Sequence, residues 1–190
     1  MSFILLGILN SQAAGAGGAG GGYDLLETQT LSASASSITF TGLDSYSNYK
    51  HLQLRMLLRS DQVAYASRIG IRINSDSGSN YGSHTLYGTG SGVYTSSSLN
   101  QTSIQRFQTT ASQTAADIYS ANIVDFLDFA SSNKNTTVRG IQGYAQTENN
   151  ISIVSGLWQN TSAVTSIQII DAFNNDLVAG SKVSLYGIGG

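Results

Sequence analysis

The chain is 190 residues long, with 9 Lys plus Arg against 11 Asp plus Glu, no Cys, no Pro and 41% hydrophobic residues. Only 11% of the residues are charged, while 29 are Ser and 16 are Thr, so hydroxyls and amides rather than charges must dress the surface, where an ordinary domain has about 25% charged residues. A formal net charge of -2 without a Lys/Arg cluster excludes nucleic acid and anionic lipid as expected partners, and the absence of Cys excludes thiolate metal sites and cysteine nucleophiles.

The first element in chain order is an apolar run, Phe3, Ile4, Leu5, Leu6, Ile8 and Leu9, interrupted by Gly7 and closed by Asn10-Ser11-Gln12. A membrane span needs about 20 apolar residues, so no insertion into a bilayer is expected. A secretory leader would need a positive start, and only Met1 and Ser2 precede the run. The stretch Ala13 to Gly22 that follows contains only Ala and Gly. Fixing such residues costs about 1–2 kcal/mol each and gains no core contact. Burying the six large side chains returns on the order of 9–18 kcal/mol, close to the cost of ordering the first nine residues. Residues 1–22 therefore read as a docking arm, an apolar tip on a flexible leash that needs a surface outside itself.

From Tyr23 onward the pattern becomes short runs of period-two alternation between Ser/Asn/Gly/Asp clusters. Strands are expected at Leu25–Leu31, Ser37–Thr41, Leu52–Leu58, Ile69–Ile73, Tyr81–Tyr87, Ile104–Phe107, Tyr119–Phe129, Val138–Ala145, Ile151–Trp158, Thr165–Ile170 and Val183–Ile188. No helical stripe interrupts them, so the parallel sheets that need helical crossovers are not expected. Residues 23–190 are thus predicted to form one all-β domain, an antiparallel β-sandwich of jelly-roll type carrying an extended N-terminal arm. Residues 89–102 and 110–116, rich in Ser, Thr and Gln, read as long loops or a loose hairpin at one end.

Chemistry-bearing residues are sparse. Asn74 to Asn80 alternates oxygen-bearing side chains around Gly78, like part of a calcium loop, but the only glutamates are Glu27 and Glu148, and the closing ligand is missing. A hairpin connection explains the same residues. Asp125 and Asp128 lie three apart in an apolar run and so face opposite sides of a strand; Arg55, Arg72 or Arg139 would pair with them. His51 and His84 show no metal spacing. No catalytic residue, metal or cofactor is expected. Ten Tyr and the single Trp158 among many amides suit a surface that stacks on sugar rings, and Tyr87, Tyr94 and Tyr119 are the candidates for glycan contact; Tyr fits a half-buried strand equally well.

Several segments taken together resemble a family of small virion surface proteins of tailed bacteriophages, of the kind found in phages of cyanobacteria and aquatic bacteria. They are Asp24-Leu25-Leu26-Glu27-Thr28, Ile38-Thr39-Phe40, Tyr49-Lys50-His51-Leu52-Gln53-Leu54-Arg55, Arg72-Ile73-Asn74-Ser75-Asp76, Asn80-Tyr81, Gly156-Leu157-Trp158 and Gly180-Ser181-Lys182-Val183-Ser184-Leu185-Tyr186-Gly187-Ile188. The leader Ile4 to Gln12 is similar to one that such phages place before different surface domains. The resemblance implies a non-enzymatic structural protein on the particle, made in the host cytoplasm and held to other virion proteins through Phe3, Ile4, Leu5, Leu6, Ile8 and Leu9. A homotrimer is expected by analogy with other virion appendages. It is compatible with a tail-fibre or receptor-facing adhesion protein that contacts a host glycan, and with a capsid decoration protein. A carbohydrate-binding module outside any virus is the remaining alternative.

Overall fold

The computed structural model describes residues 22–145 and 149–189. Among them are twelve strands: β1 (Asp24–Thr30), β2 (Ser37–Thr41), β3 (His51–Leu58), β4 (Ala66–Ile73), β5 (Tyr81–Gly88), β6 (Val93–Gln101), β7 (Ile104–Thr110), β8 (Ser120–Phe126), β9 (Thr136–Tyr144), β10 (Asn150–Trp158), β11 (Ser166–Asp171) and β12 (Lys182–Ile188), with a single 3-10 turn at Leu43–Tyr46. The large sheet runs β1-β12-β3-β8-β9-β10-β5-β6 and the small one β2-β11-β4-β7, with every neighbouring pair antiparallel.

Strand order makes this a jelly roll. The chain switches sheets at every step except β5 to β6, β8 to β9 and β9 to β10, and β1-β12-β3-β8 faces β2-β11-β4-β7. Two hairpins, β5–β6 and β9–β10, are then added to one edge of the large sheet alone. Under the four-on-four part, alternation fills the space with apolar side chains: Leu52, Leu54, Met56 and Leu58 from β3 face Ile69, Ile71 and Ile73 from β4 and Ile167 and Ile169 from β11, all buried. Strand β7 packs close against the added hairpins because glycines lie beneath it. A Cβ at Gly140 would meet the Phe107 ring at 2.7 Å and the Ile123 carbonyl oxygen at 2.4 Å, and one at Gly156 would meet Ile104 at 2.7 Å.

Three expectations change. Residues 89–102 are not a loose loop: Val93–Gln101 is a nine-residue strand paired with β5 from Gly88↔Val93 to Tyr81↔Gln101. Its inward side chains are Tyr94, Ser96 and Ser98, facing polar partners, so no apolar alternation marks it. Residues 74–80 do not close a hairpin, since β4 lies in the small sheet and β5 in the large one. The predicted Tyr119–Phe129 strand is shorter, Ser120–Phe126, and turns at Asp128, whose φ is 49°.

Strict antiparallel order sorts the strand ends. Tyr23 and Ile188 lie at one end, here proximal, with the starts of β3, β5 and β9. The connections β5–β6 and β9–β10 lie at the other, distal end, with the start of β8.

Candidate functional site: a polar cleft at the distal end

Tyr87 and Tyr94 are register partners across β5 and β6, and their rings stack with centroids 5.4 Å apart at 27°. They form one wall of an open cavity of about 510 Å³ whose other lining residues include Thr89, Ser91, Gln108, Tyr144, Asn149 and Asn150. A smaller recess of about 100 Å³ adjoins it, sharing Tyr87, Gln108 and Asn150, and is lined by Arg68, Arg106, Thr85, Ser96 and Ser152.

The polar groups of this cleft are only partly satisfied. Gln142 Nε2 donates to Asn150 Oδ1 at 2.7 Å and to Ser152 Oγ at 2.6 Å, which engages the Asn150 carbonyl and leaves its NH₂ as a donor. Arg106 donates from Nη2 to the Ser97 carbonyl at 2.6 Å, while its buried Nε and the buried Gln108 Oε1 have no partner among the described residues. Arg68, in register with Gln108, lies over the Phe173 ring at 5.6 Å and forms no ion pair with a described residue. Burial, and after it the neighbouring Arg68 charge, pull the Arg106 pKa below its ordinary value. An anion between the two guanidiniums would offset the repulsion between them.

Tyr119 does not join this site. It lies at the distal end but just before β8, three strand spacings from β5 or roughly 14 Å, and donates its hydroxyl to the Ala179 carbonyl at 2.7 Å. The docking residues Phe3, Ile4, Leu5, Leu6, Ile8 and Leu9 lie outside the described residues.

No protein-family model and no curated protein sequence matches the chain. Among solved structures, galectin LEC-6 of Caenorhabditis elegans is similar over 86% of this chain and 96% of its own, at 10% identity and a TM-score of 0.33. The jelly-roll assignment rests on strand order, not on that likeness.

The other candidates have structural partners. Asp76 accepts from Trp158 Nε1 at 2.8 Å, from Asn80 Nδ2 at 2.9 Å and from the Gly78 amide at 2.8 Å. Asn74 Oδ1 accepts from the Thr165 amide at 2.7 Å and the Ser166 amide at 3.1 Å. This loop clamps the β4–β5 crossover to β10 and β11. Among the described residues, no group of three or more His, Cys, Asp or Glu is placed to share a metal. Asp125 pairs with Arg139 at 3.1 Å and accepts from Gln53 Nε2 at 2.7 Å, while Asp128 pairs with Lys134 and its amide donates to His51 Nδ1 at 2.9 Å. His84 is exposed on β5.

A second surface feature lies on the outer face of the large sheet. Ile123, Ile141, Ile153 and Leu86 are successive register partners across β8, β9, β10 and β5, and all four are exposed. Alternation placed them outward and could be read in the sequence. That they form one row depended on register. Arg68, Arg106, Gln108 and Asn150 were missed, because a lone polar residue in an alternating strand looks like any solvated position.

Proposed function

We propose that the chain is a non-enzymatic surface protein of a tailed-bacteriophage virion, tail-associated and receptor-facing, held by its N-terminal arm. The observation that supports this reading is the polarity of the fold. The leash enters β1 at the proximal end, and the aromatic and amide-lined cleft opens at the opposite end. Attachment at one end and recognition at the other is the arrangement an adhesion tip needs. A capsid decoration protein is the second reading, favoured by the exposed row Ile123-Ile141-Ile153-Leu86, a contiguous apolar strip suited to lateral contact with neighbouring subunits.

Three copies are part of the proposal by analogy with virion appendages. One arm of six apolar side chains is a marginal anchor by the estimate above, and linking arms through an oligomer raises the effective concentration of the later contacts.

Particles assembled with a chain lacking residues 1–22 are expected to lose the protein while the truncated body stays folded. Normal incorporation would overturn the anchoring. Antibody labelling of intact particles places the body: gold at the tail tip agrees with the adhesion reading, and even labelling of the head decides for decoration.

A further inference from the structure

We propose that the distal cleft binds an acidic sugar of the uronic acid type, its carboxylate in the recess between Arg68 and Arg106 and its pyranose ring in the wider cavity beside Tyr87 and Tyr94. The inference rests on the receptor-facing reading of this end and names the ligand class that reading leaves open.

Charge selects a carboxylate. Two guanidiniums line a recess of about 100 Å³, and neither forms an ion pair with a described carboxylate. Like charges held together without a counter-charge are costly, and a planar carboxylate matches the donor fork of arginine. Arg106 is also under-satisfied: its buried Nε has no partner among the described residues.

Shape selects a sugar ring. The adjoining cavity of about 510 Å³ is far larger than an inorganic anion needs and lies in the range of small-ligand sites. Its wall is aromatic on one side, where the stacked Tyr87–Tyr94 pair presents an apolar face. The rest is lined by hydroxyl and amide side chains, among them Thr89, Ser91, Gln108 and Asn150. A ring with one apolar face, a rim of hydroxyls and a single carboxylate meets all three surfaces at once.

Calorimetric titration of the full-length chain with trigalacturonate, maltotriose, a sulfated oligosaccharide of similar length and sodium acetate tests this. Trigalacturonate is expected to bind at least tenfold more tightly than maltotriose or acetate. Arg68→Gln, Arg106→Gln and Tyr94→Ala should each weaken it about tenfold or more, and Tyr119→Ala should not. Arg68 forms no hydrogen bond with a described side chain, so Arg68→Gln stays readable even if Arg106→Gln disturbs the fold. Equal affinity for the neutral trimer, binding of the sulfated sugar but not the uronate, or wild-type affinity in Arg68→Gln would each overturn the proposal. Such a failure leaves the anchoring reading standing, because incorporation of the truncated chain decides that separately.

Discussion

Asp171 and Asp76 show how few charges a nearly uncharged protein needs when each is fully used. Asp171 is 1% exposed; it accepts from the hydroxyls of Ser60 and Ser67 and from the Phe173 amide, tying β11 to β4 and to the segment after β3. Asp76 anchors the crossover loop through the indole of Trp158, and that bond, with Asn80 and the Gly78 amide behind it, holds its carboxyl below its ordinary value of 3.8. A carboxylate whose pKa is depressed by folding adds stability that is present above the unfolded value and lost as pH falls through the folded one. Acidification below pH 3.8 should therefore loosen this loop and shift the emission of Trp158, the one tryptophan in the chain. Asp76→Asn should flatten that acid-side response in a fluorescence-monitored titration. An unchanged pH profile in the variant would assign the response to other carboxylates. Tyr81 behaves in the opposite sense: burial pushes its pKa up to about 12, so its contribution persists below pH 10 and fades above it.

At the scale of elements, the added hairpins need both apolar burial, through Tyr81, Val138, Val154 and Trp158, and glycine. Strand β7 can lie over β9 and β10 only because Gly140 and Gly156 present no side chain to Phe107 and Ile104. A methyl at position 140 meets backbone on one side and a buried ring on the other, so neither neighbour can move aside cheaply. Gly140→Ala is expected to lower stability in urea unfolding by about 1–3 kcal/mol, the range for overpacked cores. Gly90→Ala, where an added Cβ has nothing within 4 Å, should leave stability within about 0.5 kcal/mol. The same close approach brings Arg106 and Gln108 of β7 against Thr85 and Asn150 of the hairpins and so forms the cleft.

For the whole molecule, both faces of the large sheet matter. Its inner face is apolar under the jelly roll; under the hairpins it is apolar at the proximal end, through Tyr81, Val138, Val154 and Trp158, and polar at the distal end, and its outer face carries the row from Ile123 to Leu86. Ile153 in that row is 61% exposed. A low charge density removes the repulsion that keeps monomers apart, and the row is an exposed apolar strip of the kind that marks contact sites. Sedimentation velocity of the full chain at micromolar concentration should show self-association. Ile153→Asp should shift it towards monomer while leaving thermal stability nearly unchanged, since an exposed side chain contributes little to the core. A monomer in the unsubstituted chain, with and without residues 1–22, would count against the oligomer.

Period-two alternation is a local property, and it alone determined the fold class, most strand positions and the core: Leu52, Leu54, Met56 and Leu58 are inward in the structure as their spacing required. Ser37–Thr41 is legible to the residue because apolar Ile38 and Phe40 alternate with Ser and Thr. Strand β6 was not, because its inward Ser96 and Ser98 face Thr85 and Ser83 rather than the apolar core, while its apolar Val93 and Leu99 lie on the exposed face. Which sheet each strand joins, and therefore that residues 74–80 cross between sheets, follows from pairings between residues far apart in the chain. The site is of the same kind. Tyr87 and Tyr94 could be singled out by composition, but Arg68, Arg106 and Asn150 come from three strands and meet only after those strands have packed, so their shared recess belongs to the tertiary structure alone.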